Sequence, residues 1–398
     1  MTTYRPLTTD TVEAWLDDHP TLRAAVPGSP LHVREVGDGN LNLVFIVRDD
    51  PAHAGLVLKQ SLPWVRVFGE GWPLTVERAR HEADAYAAYQ AFAGEGIPAY
   101  HGFDPTWYVI AMEDLADLRV WRGALNDGEV HAGAAGALGR FVARLAFHTS
   151  VFGMKPEALK RQAALATNPE LCRITEDLVF SEPYTVHEHN WHHPGMDRVV
   201  AGLRADVAVR TEVAALKHHF MTTAEALIHG DLHTGSVMVG GGRTVAIDPE
   251  FAFYGPVAYD LGALWANAAI AAVRAAVLDR PADFRAHVAD ILPVSWAAFT
   301  GELWQRWPGR VDPFLTDAFL ERWLASVWGD ALGYAAAKAV RRMIGFAHVT
   351  DIETLEESAR TVAAATVVRI ARRLLLERDG LGDPKAAWSV VTEEIARS

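Results

Sequence analysis

The stretch His229-Gly230-Asp231-Leu232-His233-Thr234-Gly235-Ser236, followed 17 residues after Asp231 by Asp248-Pro249-Glu250, decides how this chain is read. Strand-like apolar runs at residues 226–231 and 245–248 each end in an acid, and a glycine-containing loop and a third short run, 236–239, lie between them. Two acids placed this way suit phosphoryl transfer: one carboxylate accepts a hydroxyl proton and orients the nucleophile, while the other holds Mg²⁺ between phosphates. A lone Gly-Asp is ordinary turn chemistry. The full string and its spacing single out Asp231 as the expected catalytic base and Asp248 as the expected metal ligand.

Working outward, the N-terminal 115 residues hold short apolar runs at 31–36, 43–47, 56–59 and 107–112, separated by turn formers, with one helical stretch at 76–92. Gly37-Asp38-Gly39-Asn40-Leu41-Asn42 lies between the first two runs, so the backbone at Gly39 and Asn40 is placed to line phosphates, although the same composition serves a plain hairpin. Lys59 closes the third run, and Glu82 on the next helix is its expected partner, with Glu77 as runner-up. A hinge follows at Met112-Glu113-Asp114-Leu115, and beyond it the periodicity is helical for long stretches (130–149, 199–226 and 314 onward). Glycine loop, strand lysine, helix glutamate, hinge, His-Gly-Asp and metal aspartate occur in the order of protein-kinase-like enzymes. The expected fold is therefore α+β and bilobal: a small β-rich lobe over residues 1–115 and a larger, mostly helical lobe over 116–398. His-Gly-Asp in place of His-Arg-Asp points to the small-molecule branch, the aminoglycoside and choline kinase-like enzymes.

Six segments resemble the 5-methylthioribose kinases: HGDLHTGSVMV (229–239), IDPEFAFYGPVAYDL (247–261), GDGNLN (37–42), LKQSLPWVRVFGEGWP (58–73), NPELCRITEDLVF (168–180) and RRMIGFAHV (341–349). The resemblance implies ATP-dependent phosphorylation of the anomeric hydroxyl of 5-methylthioribose, giving the 1-phosphate in methionine salvage. It implies that Asp231 binds the sugar hydroxyls and acts as base, and that Asp248 and Glu250, flanking Pro249, hold Mg²⁺. Lys59, Gly39 and Asn40 would meet phosphates, the backbone at Glu113, Asp114 and Leu115 would receive adenine, and Arg341 and Arg342 would reach the substrate. His229 and Asp260 would brace the catalytic loop. It also implies a homodimer. Two alternatives stay open: an aminoglycoside-, choline- or other sugar- or nucleoside-type kinase on the same fold, and a nucleotide-binding scaffold without catalysis.

The residues add their own constraints. Ser236 stands five positions after Asp231, where related kinases carry a metal-binding Asn, and a hydroxyl is a poorer ligand for a hard cation than a carboxylate, so an Asp-x-Glu metal site is expected. Arg341 and Arg342 diverge by about 100° if helical, and meet one ligand only at a helix end or bend. Trp72, flanked by glycines, reads either as a flap or as packing at the lobe junction. His187, His189, His192 and His193 share one loop-like segment with no Cys or carboxylate pattern beside them, and read as a surface loop without function. Thirty-seven Lys plus Arg against 50 Asp plus Glu give a formal charge of -13, which disfavours nucleic acid and anionic membranes as partners. Cys172 is the single cysteine, which excludes an intramolecular disulfide and a cysteine-rich zinc site. No basic-then-apolar leader opens the chain, and the Ala-rich run 261–273 reads as a buried helix, so a cytoplasmic enzyme is expected.

Overall fold

A computed structural model describes residues 4–37, 41–66 and 69–398. Strands β1 (His32–Glu35), β2 (Asn42–Arg48), β3 (Leu56–Ser61), β4 (Tyr100–Asp104) and β5 (Val109–Glu113) form an antiparallel sheet in the order β1-β2-β3-β5-β4. The apolar runs marked four of these strands. They did not mark β4, a Tyr-His-Gly-Phe-Asp edge strand without a buried residue whose register shifts between Tyr100 and Gly102. The β2–β3 register sets Val44 opposite Lys59 and Ile46 opposite Val57. With a period of two, these four residues share one face, and Phe45, Val47, Leu56 and Leu58 share the other. The latter pack beneath the N-terminal helices through Val12, Trp15, Leu16 and Val26. Each such side chain, fully buried, contributes about 1.5–3 kcal/mol. The first face is left to helix Arg78–Gln90 and to the cleft.

The rest of the chain is mostly helical. Helix Asp197–Ala205 ends at Asp206, whose carboxylate caps helix Val207–Thr222 by accepting from the N–H groups of Ala208 and Val209. The single helix expected over 199–226 is therefore two, because a good N-cap residue sits within the apolar pattern. The Ala-rich run belongs to helix Ala258–Val277, the one helix among the described residues long and apolar enough to cross a membrane, with 78% of its apolar window buried inside the protein. Its Gly262 faces helix Asp317–Ile344 so closely that an added Cβ would meet Tyr334 Cβ at 2.6 Å. That close seam brings Asp260 of one helix and Lys338 of the other beneath the same loop.

Five short strands thread between these helices: β6 (Arg119–Val120), β7 (Ala226–Ile228), β8 (Val237–Gly240), β9 (Arg243–Ala246) and β10 (Phe253–Gly255). β8 pairs with β6 and β9, and β7 pairs with β10. The expected third strand thus does not join the β8–β9 hairpin. The loop carrying Asp231 runs from β7 to β8 and the turn carrying Asp248 from β9 to β10, so two separate pairings converge on one point.

Candidate active site

Lys59 occupies the cleft face of β3, and its Nζ donates to Glu82 Oε1 and to Asp248 Oδ1, both at 2.8 Å. Burial favours the neutral amine, but Asp248 and Glu82 outweigh it and push Lys59 well above its ordinary pKa. Glu77 has other partners, Tyr108 Oη at 2.7 Å and Arg80 Nε at 2.9 Å. Asp248 adopts a left-handed conformation (φ 61°), and its N–H donates to Tyr86 Oη at 3.0 Å. Asn168 Nδ2 donates to the carbonyls of Glu250 (2.8 Å) and Ala252 (3.0 Å), fixing the turn beyond Asp248. The Asp248 side chain is 46% exposed. Glu250 is more enclosed: its Oε2 accepts from Asn42 Nδ2 at 3.0 Å and lies 3.7 Å from Arg78 Nε, leaving Oε1 as the oxygen those contacts do not use.

Asp231 faces the ammonium of Lys338 and the imidazole of His233. Its Oδ1 accepts from Lys338 Nζ at 2.5 Å and its Oδ2 lies 3.2 Å from His233 Nε2. Burial alone would raise the Asp231 pKa, but Lys338, His233 and Arg342 hold it well below the carboxylate range. Burial presses Lys338 the opposite way, down to about 8, with Arg341 and Arg342 adding to the effect. His233 is pushed down to about 3 by burial, so it is neutral. Its Nε2–H then donates to Asp231, and its Nδ1 lies 3.2 Å from Ser236 Oγ, which donates to it. His229 is buried and pushed down to about 4; its Nε2 donates to the Ile247 carbonyl at 2.9 Å and its Nδ1 accepts the Asp231 N–H at 3.3 Å. Asp260 accepts from the N–H groups of His229 (2.7 Å) and Gly230 (2.9 Å). Gly230 sits at φ +80°, and a Cβ there would lie 2.1 Å from the Phe251 carbonyl oxygen, so the two acidic turns touch where only glycine fits.

Arg341 and Arg342 fall in the last turn of helix Asp317–Ile344, the end whose partial negative charge favours cations. Arg341 joins Asp231, Lys338, Ile174, Thr175, Val179 and Phe251 in lining a small cavity, and its Nε is buried without a hydrogen-bond partner among the described residues. Arg342 donates to the Ala347 carbonyl at 3.3 Å, and burial with Arg341 and Arg122 alongside lowers it to about 9. At the expected hinge, Asp114 is a brace: its carboxylate accepts from Arg48 Nε (2.7 Å) and from the N–H groups of Gly55 and Ala116. The Glu113 carboxylate pairs with Arg243 at 2.9 Å, and its N–H is given to the Ala99 carbonyl. Leu115 packs with Leu118, Val245, Met238 and Ile247. A cavity of about 580 Å³ opens beside Ala116, lined by Arg34, Ile46 and Arg48 from the cleft face of the sheet. Gly39 and Asn40 lie outside the described residues.

The model of the phosphotransferase enzyme family matches residues 32–329. Methylthioribose kinase of Geobacillus kaustophilus is 39% identical over 359 residues, 88% of each chain, and that of Cronobacter sakazakii 39% identical over 383 residues, 94% of this chain and 95% of the relative. The chain belongs to the methylthioribose kinase family. Among solved structures the likeness is looser: a glucosamine kinase in complex with glucosamine, ADP and inorganic phosphate aligns with a TM-score of 0.45 and 14% identity over 92% of this chain and 78% of that one.

For this member of the methylthioribose kinase family, sequence reasoning missed several side chains that the fold brings to the site. Lys338 is a lone cation in the run Ala335-Ala336-Ala337-Lys338-Ala339, three and four residues before the paired arginines, and that helical spacing was the available signal. Arg122 reaches the same region from helix Trp121–Asp127, paired with Asp351 at 3.2 Å and donating to Asn267 at 2.9 Å. Arg78 is wholly buried and holds the carbonyls of Leu41, Leu62 and Thr75 together with Asn42 Oδ1. Trp72 packs its ring against His189 and Phe346, with centroids 5.3 Å apart in both cases.

Proposed function

We propose that this chain transfers the γ-phosphoryl group of ATP to the 1-hydroxyl of 5-methylthioribose, with Mg²⁺. Family membership supports the reaction, and one feature of the site supports the substrate. The small cavity at Asp231 has a mixed lining: the charged Asp231, Lys338 and Arg341 and the polar Thr175, together with the apolar Ile174, Val179 and Phe251. Once its side chains part to admit a ligand, that lining suits a neutral sugar carrying hydroxyls and a methylthio group, whereas the cations Lys338 and Arg341 oppose a polycationic drug.

In this reading the Asp231 carboxylate accepts the proton of the attacking hydroxyl. Its depressed pKa keeps it ionised, and Lys338 yields Oδ1 as the hydroxyl arrives. Arg341 donates to sugar or phosphoryl oxygens through the planar fork that suits two-point contacts. Lys59 exchanges its bond to Asp248 for phosphate oxygens, and nucleotide base and ribose enter past Ile46 and Val57 toward the backbone of residues 113–115. The donors fit a hard cation: Asp248 offers a half-exposed carboxylate and Glu250 its Oε1, while Ser236 Oγ is engaged by His233. When bound, Mg²⁺ neutralises phosphate charge. The same reading takes residues 1–115 and 116–398 as the two lobes and the enzyme as a cytoplasmic homodimer, on the strength of the family resemblance. The test is turnover of MgATP with 5-methylthioribose against a panel of aminoglycosides and choline; phosphorylation of the panel with none of the thiosugar would refute it.

A further inference from the structure

The histidine-rich segment has carboxylates beside it: Glu182 and Asp197 flank it in sequence, and Glu353 comes from a distant part of the chain. His193 Nε2 lies 3.0 Å and His348 Nδ1 2.8 Å from one oxygen, Glu353 Oε1. The three candidate ligand atoms all lie within 4.8 Å of one another. Both histidine side chains are more than nine-tenths buried, at 7% and 9% exposure, while Glu353 is 30% exposed.

The bonding of His348 is the independent clue. Its Nε2 lies 3.0 Å from the Trp191 carbonyl oxygen, which only accepts, so Nε2 carries the proton. In the neutral ring Nδ1 then directs its lone pair at a carboxylate oxygen 2.8 Å away. Two electron-rich atoms at that distance need a positive centre with them, either a second proton or a metal ion. A ring nitrogen that ligates metal while the other donates to a backbone carbonyl is the usual arrangement of metal-bound histidine. The Trp191 ring packs against both imidazoles, with centroids 4.7 Å from His193 and 4.2 Å from His348, and fixes their planes.

We propose that His193 Nε2, His348 Nδ1 and Glu353 bind one transition-metal ion of the zinc class, with water completing the site on the solvent side of Glu353. Two imidazoles and one carboxylate form a donor set zinc accepts, whereas magnesium and calcium prefer all-oxygen sites. Bonds of about 2.0–2.1 Å in a tetrahedral site place ligand atoms roughly 3.3 Å apart. The observed 2.8 and 3.0 Å therefore need only a few tenths of an ångström of spreading. The ion would fasten the histidine segment to the turn at 345–349, the turn whose Ala347 carbonyl holds Arg342. Its role is structural. A second trio, Glu182, His187 and His189, is a weaker candidate: its histidines are about a third exposed, and His187 Nδ1 already accepts the His189 N–H at 3.3 Å.

The test uses the full chain, stripped with chelator and free of Mg²⁺ and nucleotide. Zn²⁺ is titrated against a chromophoric indicator, and Co²⁺ replaces it for visible ligand-field spectra. The expected result is one Zn²⁺ per chain, four-coordinate Co²⁺ bands and a raised melting temperature. Affinity should fall at least about 10-fold in both His193→Ala and Glu353→Gln and be unchanged in His187→Ala/His189→Ala. Binding retained in the first two variants, binding lost in the third, or no saturable binding by the wild-type chain overturns the proposal. Should His193→Ala fail to fold by circular dichroism, the near-isosteric Glu353→Gln decides alone.

Discussion

Replacing Lys338 by methionine keeps the length of the side chain, removes its charge and leaves Asp231 without its nearest counter-ion. The ammonium is in contact with Asp231 Oδ1 at 2.5 Å and is buried. Charges about 3 Å apart at an effective dielectric near 20 attract by about 5 kcal/mol. Part of that attraction offsets the desolvation of both groups, and breaking a buried pair from one side typically destabilises by about 3–5 kcal/mol. The kinetic consequence is sharper than the thermal one. Asp231 is held below its ordinary pKa, so the ionised base is present above that depressed value and is lost as the pH falls through it. Without Lys338 the carboxylate titrates higher, and the acid limb of kcat/KM should move upward by about 1–3 pH units. Lys338 itself, depressed to about 8, is charged below that pH and neutral above it, so any alkaline limb it causes near pH 8 should vanish in the variant. The assay is coupled detection of ADP with 5-methylthioribose as acceptor, run over a pH series at a temperature where melting shows both proteins folded. An acid limb unchanged from wild type refutes the claim that Lys338 sets the ionisation of Asp231.

Four further outcomes are expected. Asp231→Asn should abolish turnover while sparing ADP binding measured by calorimetry; unchanged turnover would remove Asp231 from the role of base. Glu250→Gln should raise the Mg²⁺ concentration needed for half-maximal rate more than Ser236→Ala does, and equal effects would undo the Asp-x-Glu assignment. Gly230→Ala should destabilise the protein by about 3 kcal/mol in urea unfolding, since a left-handed residue gains a Cβ 2.1 Å from the Phe251 carbonyl oxygen. His229 and His233 are held neutral with pKa values of about 4 and about 3, below the unfolded value, so their contribution is complete above pH 6.5 and lost as the pH falls toward those values. The loss between pH 7.5 and pH 5 should be about 2–4 kcal/mol in total; flat stability over that interval would contradict the assignment of buried, neutral rings.

The parts of this site that announce themselves in sequence are those that chemistry ties to a local pattern. Lys59 was legible because a lysine closes an apolar run, and Glu82 because it lies on the next helix; the structure places them 2.8 Å apart. Asp231, Asp248 and Gly230 were legible as a string because a loop and a turn in contact need particular residues in a particular order. Arg122 and Arg78 carry no such pattern, and Lys338 carries only its helical spacing to Arg341 and Arg342. Each is a cation in a helix whose meaning depends on what the fold packs against it: for Lys338 the close seam at Gly262, for Arg122 Asp351 and Asn267, for Arg78 the carbonyls of Leu41 and Leu62. The histidine segment shows the same limit from another side: it looked unsupported because Glu182 lies before it and Glu353 some 160 residues beyond His193. Short strands were lost for a plainer reason. Two or three residues, as in β6 and β10, are too few for alternation to show.

The pairings Lys59–Asp248 and Lys338–Asp231 make the cleft an internal salt. Lys59 and Asp231 thus already have counter-ions of the protein's own. On the roles proposed above, binding is an exchange of partners, in which phosphate replaces Asp248 at Lys59, a hydroxyl replaces Lys338 at Asp231, and the released carboxylate becomes available to a cation just as the nucleotide arrives. Such an exchange changes the net number of ions in the cleft little, so affinity for the neutral sugar should respond weakly to ionic strength. Nucleotide and metal, by contrast, should help one another in, because each takes up the partner that the other sets free.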